Sequence, residues 1–271
     1  MLGITYFVNS NTLQVISFFP LDEQSKFTST DSSLTLDSDK TNDAYEFTWT
    51  STSISDKNMY LRQDVSLLFD NGILKGAFSK WKQNTDQIEI KQTLSSKNSS
   101  LFQVISFHHG EIHSPDDQIT SIHHMSEANL YVINTANTEF KAFSSAENQE
   151  ETTWKNLLDR TTKQQLLFHW NQLFNYFDID SNSYIAIPLT NLYKYNNKPL
   201  ASMSQSQSNQ IIGQLWEGLY KNYVIPAANS KKNQRNSYIP IVLFDKKQQH
   251  LRVLFELNGK KQQLIQKYPD S

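Results

Sequence analysis

Residues 64–81 read Asp64-Val65-Ser66-Leu67-Leu68-Phe69-Asp70-Asn71-Gly72-Ile73-Leu74-Lys75-Gly76-Ala77-Phe78-Ser79-Lys80-Trp81. Two apolar runs flank Asp-Asn-Gly. An Asn-Gly pair in that setting is the strongest short hairpin signal, because both central residues of the turn must adopt positive φ and these two tolerate it. The stretch predicts an antiparallel hairpin, and its neighbours extend it in both directions. Upstream, Tyr45, Phe47 and Trp49 alternate with Glu46 and Thr48, giving one apolar face at period two. Downstream, Gln83-Asn84-Thr85-Asp86 reads as a polar turn before a strand over 87–94, whose apolar residues share one parity. A polar break over 97–100 precedes a strand that puts Phe102, Val104 and Ser106 on one face and Gln103, Ile105 and Phe107 on the other. Residues 43–146 together predict a β-meander.

After Phe143 the period changes. Glu150 and Glu151 fall in the first turn of a helical stretch, where the helix dipole favours acids. Trp154, Leu157 and Leu158 are expected on its buried face, followed by Leu166, Trp170, Leu173, Phe174 and Phe177 at spacings of three and four. Ser202 to Ser208 reads as a linker ending in an N-cap. A second helix follows over about 208–223, with Ile212, Leu215, Trp216, Leu219 and Tyr223 as its stripe and Pro226 just past its end. Strands over 239–244, 250–257 and 261–268 close the chain, the last two joined at Asn258-Gly259. The fold class is α+β: an antiparallel β-meander domain over 22–146, then a helix-plus-β-hairpin domain over 147–271.

The first 21 residues carry no charged side chain. They are too short and too interrupted for a signal peptide or a spanning helix. Two expectations compete for this apolar N-terminal segment, residues 1–21. In one it is a strand with Leu13, Val15, Ile16, Phe18 and Phe19 packed inside. In the other it is the remnant of a membrane tether, and residues 22–58, rich in Ser, Thr and Asp, begin as a spacer.

Composition narrows the function classes. Charged residues make up 19% of the chain and net charge is -2, without the basic stripe that phosphate binding needs, so nucleic acid is not an expected partner. Cysteine is absent, which excludes disulfides, thiolate zinc sites and cysteine nucleophiles. The seven glycines form neither a dinucleotide-binding nor a P-loop motif, and no Gly-x-Ser-x-Gly elbow occurs. The Lys-, Asn-, Gln- and Ile-leaning composition fits an AT-rich bacterial genome.

Five of the seven histidines lie between His108 and His124, beside Glu111, Asp116 and Asp117. On a continuing strand His109, Glu111 and His113 share one side, a plausible ligand trio for zinc or a similar divalent metal, with His123 or His124 returning as a fourth. Ser114-Pro115-Asp116-Asp117 reads as a surface turn. A weaker metal candidate is Asp178-Ile179-Asp180-Ser181-Asn182, which looks like the first half of an EF-hand loop and would offer Asp178, Asp180 and Asn182. Ser183 stands where that loop needs glycine, and Leu189 where it needs a bidentate glutamate. The functional reading is an envelope-associated, non-catalytic protein that contacts a protein partner. The alternatives are a metal-binding protein or metal-dependent hydrolase built on the histidine window, and a cytosolic globular protein.

Overall fold

The computed structural model describes residues 17–41, 44–135, 140–200, 203–229, 237–247 and 249–268. Its architecture follows from one very long hairpin. Strand β2 (Ala44–Asp70) turns at Asn71-Gly72, with φ of 49° and 83°, into β3 (Ile73–Ser96). Asp70 pairs with Ile73 and Phe69 with Leu74, so the loop has the two residues the sequence implied. Strand β4 (Ser100–His113) then pairs with residues 61–70 of β2, on the side away from β3.

That pairing imposes a fold-over. The end of β3 lies beside Tyr45, at the start of β2, while β4 pairs near Asp70, at its other end. Only residues 97–99 join them, which spans at most about 10–14 Å of extended chain. The two ends of the ribbon must therefore meet, and it doubles over. Between the Ile54–Gln87 and Met59–Thr85 pairs, four residues of β2 oppose one of β3, with Asn84 at φ 54°. Such a bulge bends a strand and restarts its parity. The expected turn at Gln83 to Asp86 is this bend inside one continuous strand.

Doubling brings Trp49 onto Phe78 (ring centroids 5.1 Å) and Phe47 onto Phe102 (4.3 Å). Strand β1 (Phe27–Thr41) pairs with the first half of β2, and β5 (Ile119–Ile133) pairs with β4. Across the fold, Thr30 and Ser32 on β1 reach His124 and Ser126 on β5, so the sheet is nearly closed. A short β6 (Lys141–Phe143) extends β5. Residues 27–41 are therefore strand, not spacer. The sheet is antiparallel throughout, but β3 and β4 flank β2 on opposite sides rather than following it in simple meander order.

The outer face of β2, β3, β4 and β5 offers Val65, Leu67, Phe69, Leu74, Ala77, Ile105, Phe107 and Met125 to the rest of the chain. Helix α1 (Gln149–Tyr176) is capped by Asn148, whose side chain accepts from Glu151 N–H, and it buries Leu158, Leu166, Trp170 and Leu173. Leu157, expected inside, is 51% exposed. Helix α2 (Gln205–Leu219) begins with a full capping box between Ser204 and Gln207. Pro226 does not end this helix. Proline has no N–H to give and its ring crowds the carbonyl four residues back; the backbone widens to a π turn over Tyr220–Val224, closed by Ile225 N–H on Tyr220 O, and continues as α3 (Ile225–Asn229). A second antiparallel sheet, ordered β10 (Lys260–Lys267), β9 (His250–Leu257), β8 (Ile241–Asp245), β7 (Tyr184–Pro188), completes this layer.

Residues 1–16, with Leu13, Val15 and Ile16, lie outside the described residues. The chain that follows them is pinned: Phe18 N–H donates to Glu217 (2.9 Å), Ser121 N–H donates to Pro20 O (2.8 Å), and Phe18 packs against Gly213.

A Cβ on Gly72 would stand 3.0 Å from Leu166 in a residue already at positive φ, whereas Gly259, in the equivalent turn, faces open space. Gly72→Ala should cost about 2–3 kcal/mol in urea denaturation, against about 1 kcal/mol for Gly259→Ala.

Candidate functional site

The histidine window folds into the β4–β5 hairpin, turning at 114–118 with Asp117 at φ 61°. Register then pairs the histidines: His108 opposes His124 and His109 opposes His123. Because successive side chains on a strand point to opposite faces, the first pair lies inside the folded sheet and the second lies outside it, beneath α2.

Inside, the restarted parity of β2 places Arg62, Asp64 and Ser66 in the core, all 0% exposed. Arg62 Nη2 is 3.8 Å from Asp64 Oδ1. The guanidinium also donates to Ser53 Oγ, to Ser55 Oγ (2.8 Å), to Asp86 O (2.7 Å) and to His109 O (3.4 Å), and it lies 4.6 Å over the Phe27 ring. Burial pushes its pKa down, while Asp64 and Asp86 act in the opposite direction. Asp64 Oδ2 accepts from Ser53 Oγ (2.6 Å) and contacts His108 Nδ1 (2.7 Å). His108 Nε2 meets Ser126 Oγ at 2.8 Å. From there the hydroxyls run Ser126 to Ser32 (2.7 Å), Ser32 to Ser106 (2.7 Å) and Ser106 to Ser66 (2.6 Å), where Trp49 Nε1–H arrives at 3.0 Å.

The ends decide the direction of this chain. An indole N–H can only donate and a carboxylate can only accept. If each hydroxyl donates once along the chain, the protons align from Trp49 through Ser66, Ser106, Ser32 and Ser126 to His108 Nε2, and His108 Nδ1–H donates to Asp64.

The last three members have the donor order of a nucleophilic serine triad. Their surroundings do not serve acyl transfer. Ser126, His108 and Asp64 are 9%, 0% and 0% exposed, and Ser126 Oγ is already engaged by Ser32. An acyl carbon would have to come within about 3–3.5 Å of that oxygen. The arrangement holds a polar core together.

Outside, His109 is 2% exposed and neither ring nitrogen has a partner. Burial, with His123 close by, lowers its pKa to about 3. His123 donates from Nε2 to Asn209 O (2.9 Å), and burial lowers its pKa to about 4. Phe107 stacks on both His123 (5.4 Å) and Trp216 (4.9 Å). Glu111 is buried, which raises its pKa to about 7, and its carboxylate lies 3.8 Å from His113 Nε2. His113 is at the solvent edge, its ring stacked 3.6 Å from Tyr60. Among the described residues no group of three His, Asp or Glu side chains is placed to hold a metal ion. Of the expected trio, Glu111 and His113 meet, while His109 turns its ring toward Phe107 and His123.

In the second expected site, Asp180 caps a single 3-10 turn, accepting from Asn182 N–H and from Ser183 Oγ (both 3.0 Å), and Asp178 sits at φ 51°. Asp180 and Asn182 meet here through the backbone of an Asx turn leading into β7. Comparison with protein-family models, with curated proteins and with solved structures finds no match to this chain.

Ser126→Ala leaves His108 Nε2 without a partner, removes one of the two hydroxyls that Ser32 meets, and should cost about 1–3 kcal/mol, while a fluorophosphonate probe should leave the native protein unmodified. Labelling of Ser126 in the folded state would contradict the structural role.

The two outer histidines and Glu111 pull stability in opposite directions with pH. Below pH 6.5 the unfolded chain protonates His109 and His123, while the folded chain does so only near 3 and 4, so their contribution is full above 6.5 and is lost as pH falls. Between 4.5 and 7 the folded chain keeps a proton on Glu111 that the unfolded chain has shed, so that contribution is lost as pH rises. Glu111→Gln should therefore stabilise the protein by roughly 1–3 kcal/mol at pH 8 and change little at pH 4, read from urea melts at both values.

Proposed function

We propose that the protein is a non-catalytic interaction protein of the cell envelope and that it engages a protein partner through the exposed face of α1. The observation that carries this reading is the character of that face. Among the described residues seven large hydrophobics are exposed, and four of them, Leu157, Leu167, Phe168 (69%) and Tyr176 (62%), lie on this one helix. Leu157 and Phe168 are eleven residues apart, about three turns, and so fall on one line, opposite Leu166 and Leu173. From Gln164 to Phe177 the helix has no charged residue, and Asn and Gln fill the remaining exposed positions. Depletion of charge around aromatic anchors is the compositional mark of an interface core.

The closed interior is consistent with binding rather than chemistry. His108, Asp64 Oδ2 and the hydroxyls of Ser126, Ser32, Ser106 and Ser66 are engaged with one another. The envelope part of the reading is supported by the charge-free stretch Met1 to Leu21. No helix among the described residues is long and apolar enough to cross a membrane.

A photo-crosslinking residue at position 168, in the full chain made by its native cells, should trap a discrete protein adduct. The same residue at exposed Lys91, on β3, should not. Leu167→Glu should abolish the adduct and leave folding stability within about 0.5 kcal/mol. Equal trapping from both positions, or none from 168, would remove the proposal.

A further inference from the structure

We infer that Gln63, His109 and His123 form a site for a first-row transition-metal ion, Zn2+ or Cu+, on the outer face of the first sheet beneath α2. The three are direct register neighbours across β2, β4 and β5: Gln63 opposes His109, and His109 opposes His123. Side chains at directly opposed positions share a face, with Cβ atoms about 4.5–5.5 Å apart. His109 stands between Gln63 and His123 in this row, so each neighbouring pair is within chelating reach, and the amide and the outer imidazole approach one ion from either side of His109.

Each side chain keeps a donor atom free. His123 gives its Nε2–H to Asn209 O, which leaves Nδ1 as a bare lone pair without a partner. A ligating histidine is oriented in this way, its second nitrogen donating to a backbone carbonyl. Gln63 is 0% exposed and gives Nε2 to Ser79 Oγ (3.0 Å), leaving Oε1 unpartnered. His109 is enclosed with both nitrogens unpartnered. Four of the nine unpartnered buried side-chain atoms among the described residues thus belong to three adjacent residues. Buried polar groups without a protein partner are rare, and a bound ion or water is an ordinary explanation for them.

The chemistry of the donors selects the ion. Two imidazoles suit zinc and copper, whereas an oxygen-seeking ion such as Ca2+ or Mg2+ would want carboxylates and carbonyls instead. Burial keeps both rings neutral at pH 7, so no proton has to leave before a metal binds. His113, in the ligand trio expected from sequence, is not part of this site: its ring stacks on Tyr60 at the solvent edge.

Untagged protein, stripped with a chelator, can be titrated with Zn2+ and, under anaerobic reducing conditions, with Cu+. One equivalent of at least one ion should bind per chain and raise the melting temperature. In wild-type protein with 15N-labelled histidine, the shifts should fall on His123 Nδ1 and one His109 nitrogen, a readout that needs no variant to fold. His123→Gln and His109→Gln should weaken binding at least tenfold, and His113→Gln should not. The proposal is overturned by absence of stoichiometric binding, by shifts confined to other histidines, or by equal loss in His113→Gln. Absence of binding would leave internal water as the partner of these atoms.

Discussion

A charge pair enclosed within a folded sheet has to be answered by its neighbours, and the Arg62–Asp64 pair is the constraint around which this protein is arranged. Both residues are 0% exposed. Removing a guanidinium and a carboxylate from water costs several kcal/mol per ion unless hydrogen bonds replace the lost hydration. The replacements come from every part of the doubled ribbon: Ser53 and Ser55 before the bend, Asp86 O at the bend, His109 O and His108 on β4. None of these groups surrounds the pair unless the hairpin is doubled. The bulge that folds the ribbon also restarts the parity of β2, turning Arg62, Asp64 and Ser66 inward opposite Ser51 and Ser53. The bend and the polar core are two consequences of one insertion.

The same strands serve a second core on their other face. Val65, Ile105, Phe107 and Met125 alternate with the polar interior positions and pack under the helices, where Trp216 stacks on Phe107 and donates to Met125 Sδ (3.3 Å). This explains why the histidines occur as adjacent doublets. His108 and His124 complete the inner hydrogen-bond network, with Ser126 and Thr30 as partners. His109 and His123 are displaced by one residue and enter the apolar layer, where burial keeps them neutral. One hairpin register creates both environments.

Local signals in the sequence survived folding intact. The turns at Asn71-Gly72 and Asn258-Gly259, the acids in the first turn of α1, and the alternating faces of residues 102–107 depend on a few adjacent residues, and each is found where it was read; α2 is instead capped by Ser204, four residues before the expected Ser208. The doubling of the ribbon was not legible, because Gln83 to Asp86 has the composition of a turn and only the meeting of Trp49 with Ser66 and Phe78 shows that the strand continues. For the same reason the polar interior was not legible in the sequence. Arg62, Asp64 and Ser66 alternate with Val65 and Leu67 as the solvated face of an amphipathic strand would, and that they point inward depends on contacts between residues far apart in sequence. Leu157 shows the converse, an apolar residue at helical spacing that the fold leaves outside. In the histidine window the common strand face of His109, Glu111 and His113 was legible, as was the turn after them; the opposition of His109 to His123 required the register of the hairpin.

The donor chain from Trp49 to Asp64 can be tested at its one tautomeric member. Long-range 15N–1H correlation of the imidazole nitrogens at neutral pH reports which nitrogen of His108 carries the proton. The account predicts a protonated Nδ1 facing Asp64 and a bare Nε2 accepting from Ser126. A neutral His108 protonated at Nε2 would leave the carboxylate without its donor and reverse the hydroxyl chain, and it would contradict the structure proposed for this core.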